Sequence, residues 1–232
     1  MRIVIVGSGK MGRAVAALAE GRGHTVQAIV ASAENQGGRA LTAERLEGVD
    51  VAVEFTRPEA AARNVARLIE AGVPTVSGTT GWEAELPVAA ELVRRCSGAL
   101  LHGANFSVGV HLFLRAAREL GRELAGRSGF DAFILEEHHA AKRDAPSGTA
   151  RVLQERLREV DRSRAFPITS LRAGATPGTH VVSYDGQFER IELSHLARSR
   201  EGFAAGALAA AEWLPGHPGV HRFEDMLFGG PG

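Results

Sequence analysis

The segment Glu136-Glu137-His138-His139-Ala140-Ala141-Lys142-Arg143-Asp144-Ala145-Pro146-Ser147-Gly148-Thr149-Ala150 places two imidazoles and two cations directly before an apparent helix start. Pro146-Ser147-Gly148-Thr149, followed by the periodic apolar positions Val152, Leu153, Leu157 and Val160, reads as a capped N-terminus. The backbone N–H groups that open such a helix suit a carboxylate or a phosphate. His138 and His139 are candidate proton donors and Lys142 a fixed cation, so the chemistry expected is capture and protonation of an anion. The His-His pair also raises a metal reading. Adjacent side chains diverge on a helix or a strand, however, and the HExxH spacing that would converge two imidazoles is missing, so no metal is expected. A solvated loop at Lys142, Arg143 and Asp144 stays open as the alternative at this point.

The elements that must position this segment begin at the other end of the chain. Arg2-Ile3-Val4-Ile5-Val6 is a continuous apolar, β-branched run of the kind buried in a parallel sheet, and it enters Gly7-Ser8-Gly9-Lys10-Met11-Gly12 directly. Ala14, Val15, Ala17 and Leu18 then continue as one helix face. The GxGxxG pattern therefore sits at a strand-to-helix turn. There its glycines allow the tight turn, the close approach of a pyrophosphate, and close packing of helix on strand. A nicotinamide dinucleotide is the cofactor this implies.

Which dinucleotide depends on the end of the second strand, Thr25 to Ala31, where a carboxylate about twenty residues past the glycines would grip the ribose hydroxyls of NAD. Ser32 stands there instead. Glu34 comes two places late, Arg39 lies in a glycine-rich loop, and Lys10 could meet a 2′-phosphate as a point charge. Use of both NADH and NADPH is the expectation.

Strands and helices alternate to about residue 105: a strand at 50–54, a helix opened by proline at 58–71, strands at 74–77 and 100–101, and a helix at 83–95 between them. A Rossmann-type doubly wound parallel sheet follows. In such sheets ligands lie beyond the carboxyl ends of the strands. The loops Phe55-Thr56-Arg57-Pro58, Gly78-Thr79-Thr80-Gly81 and Gly103-Ala104-Asn105-Phe106 then belong to one crevice, and three small, hydroxylic or glycine-rich loops at consecutive strand ends are hard to explain as mere turns. From 106 the character changes. A long amphipathic helix at 108–124, a strand at 130–135, a helix at 147–160 and strands at 168–171, 179–184 and 190–193 predict a second, α+β substrate domain on a mixed sheet, with the last three strands antiparallel. A small-residue helix at 202–213 and a Pro/Gly-rich tail from Pro215 are expected to return to the first domain. The domains expected are therefore 1–105, joined by about 200–232, and 106–199.

Composition narrows the class. Lys and Arg balance Asp and Glu, 27 against 27, which removes the basic footprint of a nucleic-acid binder, and 44% apolar residues suffice for a substantial core. No apolar run is long enough to span a bilayer, and the chain enters a strand where a secretory leader would lie, so a cytoplasmic enzyme is expected. The single Cys96 cannot form an internal disulfide. Beside Arg94 and Arg95, with no recognisable base, it reads as a packing residue.

On the pattern Glu-x-His-His-x-x-Lys-x-Asp-Ala-Pro-Ser-Gly-Thr-Ala at 136–150, the chain resembles the 4-hydroxy-tetrahydrodipicolinate (dihydrodipicolinate) reductase family over essentially its whole length. Lys10-Met11-Gly12, Phe55-Thr56-Arg57-Pro58, Gly78-Thr79-Thr80-Gly81, Ala104-Asn105-Phe106-Ser107-Val108-Gly109-Val110 and Ser199-Arg200 support the likeness. The resemblance implies NAD(P)H-dependent reduction of (2S,4S)-4-hydroxy-2,3,4,5-tetrahydrodipicolinate to tetrahydrodipicolinate with loss of water, in lysine and diaminopimelate biosynthesis, by a homotetramer. It implies that His138 is the general acid and Lys142 the catalytic lysine, and that His139, Lys142, Ser147, Gly148 and Thr149 bind substrate. Gly7 to Gly12, Ser32, Phe55, Thr56, Arg57, Gly78, Thr79, Thr80, Gly103, Ala104, Asn105, Phe106 and Arg200 would meet the cofactor. Two positions depart from the family pattern: Glu137, where a small residue is usual, and Ala205, where Asn is common. Two other functions compete, a different nicotinamide oxidoreductase and a non-enzymatic dinucleotide sensor. Neither needs the His-His-x-x-Lys-x-Asp-Ala-Pro-Ser-Gly-Thr run.

Overall fold

A computed structural model of the chain describes residues 1–230, and the last two positions of the expected C-terminal segment, 231 and 232, lie outside them. The chain divides into two units, Met1–Val108 together with the segment from Glu201, and Gly109–Arg200. The first seam thus lies three residues beyond the expected one.

In the first unit the chain runs β1 (Arg2–Val6), α1 (Lys10–Gly21), β2 (Thr25–Val30), α2 (Ala43–Leu46), β3 (Val51–Glu54), α3 (Pro58–Glu70), β4 (Thr75–Ser77), α4 (Leu86–Cys96) and β5 (Ala99–His102). The apolar run of β1 is continuous because the strand is covered on both faces. Ile3 and Ile5 enter one core with Val15 and Ala19 of α1, while Val4 and Val6 enter another with Val30 and Leu68. Each of these side chains is buried, and each Val, Ile or Leu among them is worth about 1.5–3 kcal/mol. One expected boundary moves: a 3₁₀ turn occupies Glu83–Glu85 and α4 starts at Leu86, with Pro87 in its first turn, where a missing N–H costs nothing.

The second unit comprises α5 (Val108–Leu124) from its second residue, β6 (Phe130–His138), α6 (Gly148–Val160), β7 (Ile168–Arg172), β8 (Gly178–Gly186) and β9 (Arg190–Ala197). Its sheet has the order β7-β6-β8-β9. Strands β8 and β9 are antiparallel to their neighbours, but β7 pairs with β6 in parallel, Ile134 opposite Ile168 and His138 opposite Arg172. The expectation of three antiparallel strands is therefore corrected at β7. The reason is connectivity, since α6 carries the chain from β6 to β7 as a crossover that returns it in the same direction. Strand β6 also runs three residues past its expected end, so that His138 is a strand residue. Val110, Phe113, Leu114 and Ala117 of α5 pack with Leu153 and Leu157 of α6 on Ile134, Val182 and Tyr184 of the sheet. Gly121 makes room: a Cβ there would stand 2.9 Å from both Leu157 and the Tyr184 hydroxyl.

The chain then adds α7 (Glu201–Trp213), β10 (Gly219–Arg222) and α8 (Phe223–Phe228) to the first unit. The small residues of α7 bring it onto α1 and into the core of Ile3 and Ile5. Strand β10 pairs in parallel with β5, completing the all-parallel order β10-β5-β4-β3-β1-β2. The chain reverses direction across this sheet at the β1/β3 junction, where doubly wound folds bind ligands.

Candidate active site

In the first unit the glycine turn has the shape its spacing demands. Gly7 has φ +112°, and a Cβ there would collide with the Phe55 carbonyl. A Cβ on Gly12 would collide with the carbonyl of Gly7, while one on Gly9 would meet nothing within 4 Å. Two glycines are thus required by packing, and the third faces open space at the N-cap of α1. The first turn of α1 holds no acidic residue, so its dipole is left to an anion. These features fit a pyrophosphate, with Ser8 and Met11 half-buried beside it and Lys10 exposed on the first turn.

The neighbouring loops are tied to one another by a carboxylate that sequence reasoning passed over. Glu54, fully buried at the end of β3, accepts from the Ser77 hydroxyl at 2.8 Å and from the Thr56 hydroxyl. The Thr56 N–H donates to Thr79 Oγ1 at 2.8 Å, and Trp82 Nε1 donates to the Thr79 carbonyl at 2.9 Å. Gly78 leaves room for the Phe55 ring, which stands edge-on to Phe106 with centroids 6.0 Å apart. Asn105 Oδ1 accepts from the Ser107 N–H at 2.8 Å, folding the Gly103-Ala104-Asn105-Phe106 loop on itself. Ala205 is half-buried, and Gly206 beside it lies against the Phe106 carbonyl, so the helix position that departs from the family pattern adjoins this loop. Arg57, Thr80 and Arg200 are exposed, Arg200 just ahead of α7.

At the end of β2, Ser32 is exposed. Glu34 folds back toward that strand end: its Oε1 accepts from the Ala31 N–H at 2.9 Å, and its other oxygen lies 3.4 Å from Arg45. The Ala31 hydrogen bond, with help from Arg45, holds the Glu34 carboxyl below its ordinary range, against burial, which raises it. A carboxylate therefore does stand at this strand end, donated by a residue two places later than expected. Cys96 is exposed in the last turn of α4, not packed, which corrects its reading as a packing residue.

In the second unit, pleat and register assemble the chemistry. Glu136 and His138 are two apart on β6 and share its buried face with Ile134, whereas His139 follows the strand and is half-buried. His180 of β8 lies opposite Glu136, and Arg172 of β7 lies beside His138. His138 Nδ1 is 2.5 Å from Glu136 Oε2, a close contact that is off the line of a regular hydrogen bond. Arg172 Nη2 donates to Glu136 Oε1 at 2.6 Å and to the Asp144 carbonyl at 2.6 Å. Burial opposes ionisation of Glu136, yet hydrogen bonds from Arg172 and Ser170 and the charge of His138 outweigh it and hold its pKa at about 2. Burial pushes His138 down. The Glu136 carboxylate pulls it back up, and Lys142 and Arg172 push it down again. His180 is driven down to about 4, first by burial and then by His138. A single glycine gives the His138 ring its place: a Cβ on Gly178 would stand 2.8 Å from Nε2 and 3.1 Å from Cδ2.

Lys142 lies in an exposed loop: its Nζ donates to both oxygens of Asp144, at 2.7 and 2.9 Å, and its side chain is 25% exposed. Ser147 caps α6, its hydroxyl accepting from the Ala150 N–H at 3.2 Å while contacting His180 Nε2 at 3.0 Å. Its own N–H points to Glu136 Oε1 at 3.3 Å. Ser147 is 2% exposed and engaged in the scaffold, and Gly148 and Thr149 open the helix beside it. Glu137 points to the other face and accepts from the Thr176 hydroxyl at 3.1 Å.

Sequence reasoning expected His138 to diverge from His139, and it does so. What spacing concealed is that donor atoms of Glu136, His138 and His180 converge within 4.8 Å. Such a trio has ligand types found on divalent metals. Its carboxylate, however, is already paired with Arg172, and Lys142 adds a second cation to the field at His138, which makes the trio a setting for proton chemistry.

Comparison with known proteins places the chain in a lineage. The family described as "Dihydrodipicolinate reductase, N-terminus" matches residues 1–101, and "Dihydrodipicolinate reductase, C-terminus" matches residues 109–227. A 4-hydroxy-tetrahydrodipicolinate reductase of Christiangramia forsetii is 33% identical over 98% of each chain. One from Methanopyrus kandleri is 37% identical over 78% of this chain and 72% of its own. Among solved structures, a dipicolinate-bound dihydrodipicolinate reductase from Paenisporosarcina sp. TG-14 shares the fold, with a TM-score of 0.78 at 21% identity over 96% of this chain and 97% of its own. A probable dehydrogenase from Thermotoga maritima follows at a TM-score of 0.58 and 13% identity, over 97% and 92% of the two chains. With both halves matched and a relative 33% identical over 98% of each chain, the chain belongs to the dihydrodipicolinate reductase family.

Proposed function

We propose that the chain reduces (2S,4S)-4-hydroxy-2,3,4,5-tetrahydrodipicolinate to tetrahydrodipicolinate with loss of water, at the expense of NADH or NADPH, in the cytoplasmic synthesis of diaminopimelate and lysine. The observation that carries this reading is the coincidence, in one unit, of a buried imidazole beside a carboxylate, a half-buried lysine, and the open end of helix α6. Together they suit an anionic substrate that must be protonated. The turn from Gly7 to Gly12 and the loops at Phe55 to Arg57, Gly78 to Thr80 and Gly103 to Phe106 would hold the dinucleotide, which supplies a hydride when bound. One substrate carboxylate is assigned to the amides of Gly148 and Thr149, and Lys142 and His139 are assigned to the remaining negative charge.

The charge state of His138 follows from the same assignment. Burial and two cations leave the imidazole short of protons in the free protein. A dianionic ligand adds negative charge beside it, raises its proton affinity, and so charges the acid only when substrate is present. NADH and NADPH are both proposed as reductants because Ser32 neither grips a ribose hydroxyl strongly nor repels a phosphate. Glu34, partly neutralised by Arg45, tempers the use of NADPH without excluding it. A homotetramer is proposed through the sheet face away from the helices, where Leu135, Leu171 and Leu196 are 40%, 54% and 55% exposed. The exposed lone thiol of Cys96 suits a reducing compartment. Turnover of NADH with freshly generated cyclic substrate tests the reading. Competitive inhibition by pyridine-2,6-dicarboxylate, with much weaker inhibition by picolinate, tests the two-anion pocket, and equal inhibition by the two would argue against it.

A further inference from the structure

We infer that Glu136, clamped by Arg172, is the positioning residue of the reaction: it holds the Nδ1–H tautomer of His138 and leaves Nε2 as the atom that exchanges a proton with substrate. The inference rests on the assignment of His138 as acid. It adds to that assignment a carboxylate and a guanidinium for which the motif itself states no role.

Register leaves little freedom in this arrangement. Glu136 and His138 sit on the same face of one strand, and the Glu136 side chain is wholly shielded from solvent. A carboxylate buried in this way would ordinarily take up a proton. Arg172 prevents it by donating to Oε1 at 2.6 Å, and the Ser147 N–H adds a second, longer contact to the same oxygen. Oε2 is thereby left to face Nδ1 at 2.5 Å. A neutral imidazole carries one N–H, and the nitrogen nearer a carboxylate keeps it. Nδ1 is then spoken for in both protonation states, and the proton gained and lost is the one on Nε2, the atom that lies over Gly178. Proton balance is simple. Imidazolium gives its Nε2 proton to the substrate, becomes the Nδ1–H imidazole still paired with Glu136, and recovers the proton from solvent. The charged and titratable groups facing the ring are Glu136 from its own strand, Arg172 from β7, His180 from β8 with His195 opposite it on β9, and Lys142 from the following loop. Glu136 alone among them favours the charged ring. Arg172 also donates to the Asp144 carbonyl, so the same guanidinium steadies the loop that carries Lys142.

The test combines ¹⁵N NMR of the imidazoles with pH–rate profiles. Wild-type protein should show His138 as the Nδ1–H tautomer above its pKa. Glu136→Gln should lose that preference, lower kcat by about 10²-fold with little change in KM, and move the alkaline limb of kcat/KM to lower pH by at least one unit. Arg172→Lys, which keeps a charge without the fork, should give an intermediate loss, and Glu136→Asp should restore part of the limb. The NMR readout does not depend on turnover. A protein that failed to reduce the cyclic imine would sink the proposed function, while the His138 tautomer would still decide this inference. An Nε2–H tautomer in the wild type, or a Glu136→Gln protein with an unmoved limb and unmoved ring nitrogens, would overturn it.

Discussion

Gly178→Ala isolates the placement of the His138 ring. The backbone of Gly178 is not in the left-handed region, so alanine can adopt it without strain, and the effect is steric. Its Cβ would stand 2.8 Å from Nε2 and 3.1 Å from Cδ2, whereas carbon contacts settle at roughly 3.5–4.0 Å. The ring must therefore retreat by about 0.7 Å or more. It is buried, with Glu136 at its other nitrogen, and it cannot swing into solvent. Overpacking of this kind costs about 1–3 kcal/mol, and a misplacement near 1 Å at a reacting group costs up to about 10²-fold in rate. The expected result is a kcat reduced by about 10- to 100-fold, weakened binding of pyridine-2,6-dicarboxylate, and a Tm lower by about 2–4 °C for each kcal/mol lost. Gly202→Ala is the control, since a Cβ there meets nothing within 4 Å. Wild-type kcat and inhibitor affinity in Gly178→Ala would refute the claim that the described ring position is the productive one.

Three further outcomes are expected. Lys142→Ala should lower turnover by about 10²-fold or more while NADH affinity, measured by fluorescence titration, stays nearly intact; near wild-type turnover would rule out the assigned role. In steady-state assays the wild type should use NADH and NADPH with KM values within about tenfold, roughly 1.4 kcal/mol. Ser32→Asp should lose NADPH selectively, and Glu34→Gln should gain it; if neither variant changes the ratio of kcat/KM values, the end of β2 does not read the ribose. Acid should destabilise the second unit: His180 is depressed from 6.5 to about 4, so the unfolded chain binds the extra proton first, and stability present above pH 6.5 is lost as pH falls through 4. The loss from this residue is on the order of 3 kcal/mol, readable as a fall in Tm that His180→Phe would blunt, and Glu136 adds a loss of the same sign below pH 4.5.

The features legible in the amino-acid order are those in which neighbours in sequence are neighbours in space. The run Ile3 to Val6 entering Gly7, Gly9 and Gly12 places strand, turn and helix within one short stretch, and Pro146-Ser147-Gly148 announces its own helix. Sheet partners were not legible. Arg172, Gly178 and His180 come 34 to 42 positions after His138, counted along the sequence, and meet it through the register of three strands. Nothing in the spacing of the motif marks them. Glu136 lay inside the motif but could be given a role only once Arg172 was seen beside it. Glu54 was hidden for a similar reason: it reads as the polar end of an apolar strand until Thr56 and Ser77 are seen to donate to it. The direction of β7 could have been read, since strand, helix, strand is the order of a parallel crossover, but alternation of side chains is the same in either direction.

Transfer of a hydride from a nicotinamide to the cyclic dicarboxylate is the step on which the proposed function stands. It is tested most directly by incubating the protein with NADH deuterated on the transferred C4 position and freshly generated (2S,4S)-4-hydroxy-2,3,4,5-tetrahydrodipicolinate, then measuring the product by mass spectrometry. One deuterium in tetrahydrodipicolinate for each NADH consumed, with His138→Gln and Lys142→Ala both slowing its appearance, is the predicted result. Consumption of NADH without deuterium in that product, or no consumption at all, would contradict the account.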